Sequence, residues 1–159
     1  MKSTTAVSSK QSLTTAKAIF WGGLIAGILD AVDGVIAYGT QGLNPIQVLQ
    51  YIASGALGKS SFEGGLATAA LGAAFHFLIA WGVAAVFVLT CQRLTVLKAH
   101  PVPAGLFYGA GVYFFMNYVV LPLSAVAAGK FQFGLFINGV IGHALLVGLP
   151  ISLIAWRAK

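Results

Sequence analysis

Acid is the scarcest chemistry in this chain. Three carboxylates stand in 159 residues, and charged side chains make up 8% against 58% hydrophobic. An average soluble domain carries about 25% charged residues, so an ordinary water-soluble globule is excluded. A single cysteine, Cys91, excludes an intramolecular disulfide framework and any cysteine-rich zinc or iron–sulfur site. The nine basic residues give a net charge of +6 but are scattered, so no nucleic-acid footprint is present and no nucleic-acid partner is expected. The Gly-x-Ser-x-Gly elbow, His-Glu-x-x-His and the P-loop are all missing, and Gly58-Lys59-Ser60 lacks the upstream glycine spacing. An enzyme is therefore not the expectation, although a metal-dependent intramembrane hydrolase stays open.

What the chain has instead is long apolar runs. A membrane helix needs about 20 mostly apolar residues. Four stretches qualify: residues 18–38, 66–89, 104–127 and 133–156. The expected fold class is an all-α integral membrane protein, a four-helix transmembrane bundle in one domain over residues 17–159. The partner is the lipid bilayer, and a homo-oligomer stays open. The first run is too long for the apolar part of a signal peptide and contains Asp30 and Asp33, so it reads as a retained helix. Residues 1–16, rich in Ser and Thr and without periodicity, predict a mobile tail. Phe20, Trp21, Tyr38, Phe133 and Trp156 stand near span ends, where interfacial aromatics are common.

The bases are sorted along the chain. Lys2, Lys10, Lys17, Arg93, Lys98, Arg157 and Lys159 fall at the termini and in the second loop, and only Lys59 and Lys130 fall in the other two loops. Seven against two predicts that both termini are cytoplasmic.

The connection between the first two spans is long. Asn44-Pro45 is a good N-cap followed by proline at the first helical position, and Ile46, Leu49, Ile52, Ala53 and Ala56 recur at helical spacing. This predicts a helix from Pro45 to about Leu57, too short to span, that lies in the interface or re-enters. Gln47, Gln50 and Ser54 form a polar stripe on it. It reads either as a lid over the bundle or as a passive anchor.

Polar residues interrupt all four runs: Asp30 and Asp33, His76, Asn117 and His143. At 1.5 Å per residue they fall roughly 10–17 Å below the outer edge, in one layer. A charge there costs about 2.5–3.5 kcal/mol on insertion scales. The two aspartates share a helix face, and a shared proton or bound cation would relieve their repulsion. The candidate cation- or proton-binding residues are therefore Asp30, Asp33, His76 and His143, which are also the candidate ligands for a divalent metal ion. Asn117, Tyr113 and Glu63 are the supporting donors and acceptors. Gly23 and Gly27, Gly105 and Gly109, and the GxxxH pairs Gly72/His76 and Gly139/His143 predict close helix packing around the layer. Their recurrence also suggests a duplicated hairpin. Pro122 and Pro150 predict kinks.

The segments Pro45-x-x-Val48-Leu49-Gln50-x-Ile52-Ala53-Ser54-Gly55-x-Leu57-Gly58 and Tyr113-x-x-x-Asn117-x-Val119-Val120-x-Pro122-Leu123-Ser124, with the closing stretch from His143 to Ile151, carry a resemblance. Together they resemble small four-transmembrane-helix inner-membrane proteins of bacteria that have no assigned function. The resemblance covers most of residues 18–156 and implies a bacterial inner-membrane location. It implies no activity and no site residues.

Four functions remain open from the residues: cation or proton transport through the layer; haem b held between His76 and His143; the hydrolase above; and a structural protein in which the polar groups join helices.

Overall fold

The computed structural model describes residues 13–127 and 129–158. Most of the expected tail, with Lys2 and Lys10, lies outside the described residues, as does Lys159. The described residues are helical throughout, apart from short connections and an isolated bridge between Leu13 and Ala158.

Helix α1 spans Thr15–Gly39. It starts inside the expected tail because the Thr14 hydroxyl accepts the Lys17 N–H at 3.4 Å and caps the first turn. Helix α2 spans Pro45–Leu57, where the sequence places it. Its start is a capping box: Gln47 N–H donates to Asn44 Oδ1 at 3.0 Å, and Asn44 N–H donates to Gln47 Oε1 at 2.9 Å. Gly58, with φ 61°, ends it, and a tight turn over Gly58–Glu63 leads into α3, Gly65–Arg93. A single helical turn, α4 (Val96–Ala99), precedes α5, Pro101–Phe115. Helix α6 (Phe133–Gly142) continues without a break through a wide π turn, His143–Gly148, into α7, Leu149–Ala155.

Three of these helices are long and apolar enough to cross a membrane by length and composition: Thr15–Gly39, Gly65–Arg93 and Phe133–Ala155. Their outward faces are as oily as their inward ones. Ile36 and Leu78 are 64% and 65% exposed, an arrangement unfavourable in water and natural against lipid. The remaining expected span differs from its sequence boundaries. Its helix starts three residues early, at Pro101, and leaves helical geometry after Val120 rather than at residue 127. The cause is local. Met116–Val120 widens into a π turn in which Leu121 N–H reaches the Met116 carbonyl at 2.8 Å, and Pro122 then has no N–H to continue the ladder.

The helices pack through glycine. A Cβ on Gly27 would fall 2.9 Å from Phe77 in α3, and one on Gly109 would fall 2.8 Å from Ala144 Cα in the π turn. The two GxxxG pairs thus do equivalent work. Gly23 and Gly27 seat α1 on Trp81 and Phe77, and Gly105 and Gly109 seat α5 on Gly148 and His143.

The core lies toward the end of the bundle where α1 begins, here the proximal end. Ala18, Ala26, Ala84, Phe87, Val88, Cys91, Ile151 and Ala155 interlock there. Leu13 N–H bonds the Arg157 carbonyl at 3.0 Å, and Lys98 Nζ donates to the Ala158 carbonyl at 2.9 Å. Both described chain ends and the α3–α5 connection therefore share that end, together with Lys17, Arg93, Lys98 and Arg157. Lys59 and Lys130 lie toward the other, distal, end.

Candidate functional site

Proximally, α3 and α5 touch. Tyr108 Oη donates to the Val83 carbonyl at 2.7 Å, and the Tyr108 ring lies 4.8 Å from Phe87. Distal to this contact lies a cavity of about 970 Å³, with Val83 and Val147 in its lining. Helix α2 forms one wall, and residues from 116–127 and 129–132 form another. The Leu49 carbonyl of α2 rests on Gly72 of α3, so close that only glycine fits. Ala125 N–H then ties the second wall to the Gly55 carbonyl at 2.9 Å.

Asp30, Asp33, His76, Tyr113, Asn117 and His143 all line this cavity. They do not converge on one point. His143 Nδ1 lies 3.7 Å from Asp30 Oδ1. That distance is too long for a hydrogen bond, and Nδ1 is shielded from solvent with no hydrogen-bond partner. Among the described residues this is the only basic or imidazole nitrogen within 4.0 Å of a carboxylate. Asp33 points elsewhere. Its Oδ2 accepts from Asn138 Nδ2 at 2.9 Å and lies over the bare backbone of Gly142.

His76 joins helices. Its Nε2 lies 2.8 Å from the Gly27 carbonyl and donates to it, which places the proton on Nε2 and leaves Nδ1 as the free nitrogen. A haem iron between His76 and His143 would have to take His76 through Nδ1 or break this bond. Asn117 Nδ2 donates back to the Tyr113 carbonyl one turn earlier, at 2.9 Å, and reaches no carboxylate. The Tyr113 ring packs edge-on to His143, with centroids 5.4 Å apart, and sits on Gly139. Glu63 is exposed in the tight turn and does not line the cavity.

Among the described residues no group of three or more His, Cys, Asp or Glu side chains is placed to hold a metal ion. The four residues expected as ligands sit in one chamber, but only Asp30 and His143 face each other, while Asp33 turns to Asn138 and His76 to the Gly27 carbonyl.

The polar stripe of α2 is structural. Gln47 closes the capping box, Ser54 Oγ donates to the Tyr51 carbonyl at 2.6 Å, and buried Gln50 donates to the Gly65 carbonyl at 3.0 Å. Sequence reasoning missed Asn138. The signal was present, since it is an amide inside an apolar run five residues before His143. Sequence reasoning also missed Tyr51 and Tyr118, and it reads Tyr38 only as an interfacial aromatic. With Tyr113 these make four of the five tyrosines, and all four line the cavity. Nothing local in the sequence says that separate helices turn those rings toward one space.

Two members of the polar layer sit in π turns, Asn117 in Met116–Val120 and His143 in His143–Gly148. Such turns shift the register by one residue and often occur at functional sites. Here the second turn precedes Pro150, whose missing N–H it accommodates.

Comparison with protein families, with curated proteins and with solved structures yields no match. The case for function rests on the geometry alone.

Proposed function

We propose that this is a four-span protein of a bacterial inner membrane, with both termini cytoplasmic, and that its acid–histidine layer binds and passes a proton or small cation. The observation that carries the reading is the Asp30–His143 pair, 3.7 Å apart in the wall of the distal cavity. A buried imidazole nitrogen without a hydrogen bond, beside a carboxylate, is a natural resting place for one proton or one cationic group. Intramembrane ionisable residues facing a cavity are costly to insert and recur on ion pathways. The α5 helix and its π turn, residues 101–120, supply the fourth crossing at about 30 Å. The basic residues at the proximal end orient that end toward the cytoplasm.

The test is flux. The full chain is reconstituted in liposomes holding a pH-sensitive dye, and an imposed gradient is followed. Asp30→Asn and His143→Gln should each abolish proton movement while the wild type conducts. Wild-type liposomes no leakier than empty ones, to protons and to Na⁺ or K⁺, would end the proposal.

One observation favours a second reading, in which the layer joins helices and does nothing else. His76 bridges α3 to α1, and Asn138 bridges α6 to Asp33. Under that reading Asp30→Asn and His143→Gln keep both fold and cellular phenotype.

A further inference from the structure

The cavity is far larger than a proton or bare ion requires, and its walls have a particular chemistry. Its formally charged lining is Asp30, Asp33 and one exposed lysine, Lys130, beside the imidazoles His76 and His143. The two carboxylates outnumber the single lysine there. The rest of the wall is mostly aliphatic, with six aromatic rings set into it: Tyr38 and Tyr51 lie with centroids 5.6 Å apart, Tyr113 meets Phe136 at 5.9 Å, and Tyr118 and Phe131 complete the set. Carboxylates set among aromatic faces are the surroundings that recognise an organic cation, through charge and through the ring quadrupole. A divalent metal would need a convergent set of ligands, and none is assembled among the described residues.

Asp33 supplies a further, independent feature. It also lines a second hollow of about 450 Å³. That hollow is otherwise walled by Ile137, Ile141, Leu145 and Leu146, with Gly134, Gly142 and the Asn138 amide that bonds Asp33. Ile141 and Leu145 are half exposed on the outward face of the bundle. One carboxylate thus lines both the main chamber, with its acids and aromatic rings, and a largely apolar groove.

We infer that the site takes a hydrophobic organic cation, an ammonium or phosphonium with apolar substituents, whose charge sits at Asp33 and Asp30. Its apolar groups lie against the tyrosines and reach the lateral groove. This rests on the reading of the acid layer as cation-binding and names the class of cation.

The experiment uses the full chain in detergent, titrated with tetraphenylphosphonium, with tetramethylammonium and with neutral triphenylphosphine oxide. Saturable binding of one tetraphenylphosphonium per chain is expected, with tetramethylammonium and the neutral oxide at least about tenfold weaker. Asp33→Asn, which keeps shape and can still face Asn138, should weaken tetraphenylphosphonium about tenfold or more, and Tyr51→Leu severalfold. Absence of saturable binding to the wild type overturns the inference, as does equal affinity for the neutral oxide or an unchanged affinity in Asp33→Asn. Tetramethylammonium binding as tightly as tetraphenylphosphonium overturns the apolar part. Proton flux that depends on Asp30 while tetraphenylphosphonium fails to bind removes this inference and leaves the proposed function standing.

Discussion

Gly109→Ala is the sharpest test of how the bundle is held. A Cβ built on Gly109 falls 2.7 Å from the His143 carbonyl carbon and 2.8 Å from Ala144 Cα. Those are backbone atoms with no rotamer to yield. Carbon atoms rest about 3.5–4.0 Å apart, so α5 must retreat from the π turn by about 1 Å. A gap of that size forfeits roughly a quarter to a half of the dispersion at the contact. Overpacking of this kind typically costs about 1–3 kcal/mol. The alanine returns up to about 1 kcal/mol through helix propensity. The same helix contains a control. A Cβ on Gly111 would meet nothing within 4 Å, so Gly111→Ala carries the propensity gain with no clash. Unfolding is followed by tryptophan fluorescence on detergent-purified protein. At about 2–4 °C per kcal/mol for a chain of this length, Gly109→Ala should melt about 2–12 °C below Gly111→Ala. Equal midpoints, or a higher one for Gly109→Ala, would refute the close approach of α5 to the π turn.

Two further outcomes follow from single contacts. Tyr108→Phe removes the 2.7 Å bond to the Val83 carbonyl and should cost about 1 kcal/mol, read as a lower melting midpoint with no change in oligomeric state. Gly72→Ala pushes against the Leu49 carbonyl and should loosen α2. Trypsin would then cut after exposed Lys59 about tenfold faster, and unchanged cleavage would show that α2 is held by other contacts.

Much of the fold was legible in local sequence. Asn44-Pro45 announces α2, because an amide cap and a pre-set proline φ act within four residues. The GxxxG and GxxxH spacings announce close packing, because small residues matter wherever helices touch. The end of the α5 helix was less legible. The apolar run continues to Ala127, but hydropathy does not register that the π turn and Pro122 have ended the ladder. The residue types that line the cavity were legible, but their partners were not. Asp30 and Asp33 look alike on one helix face, yet one meets His143 and the other Asn138. His76 and His143 repeat the same motif, yet one bridges to the Gly27 carbonyl while the other keeps Nδ1 without a hydrogen bond.

The sequence alone determined the apolar character of the chain, the helices, the sorting of the bases along it and the placing of two acids inside an apolar run. All four depend on composition and near-neighbour spacing, which a chain carries before it folds. Tertiary structure decided which polar atoms meet, where the cavity opens and which tyrosines line it. Those depend on the rotation and crossing of helices far apart in sequence. Glycine contacts between backbones set that geometry, such as Gly109 on the π turn and Gly72 under α2, and a hydropathy pattern carries no record of them.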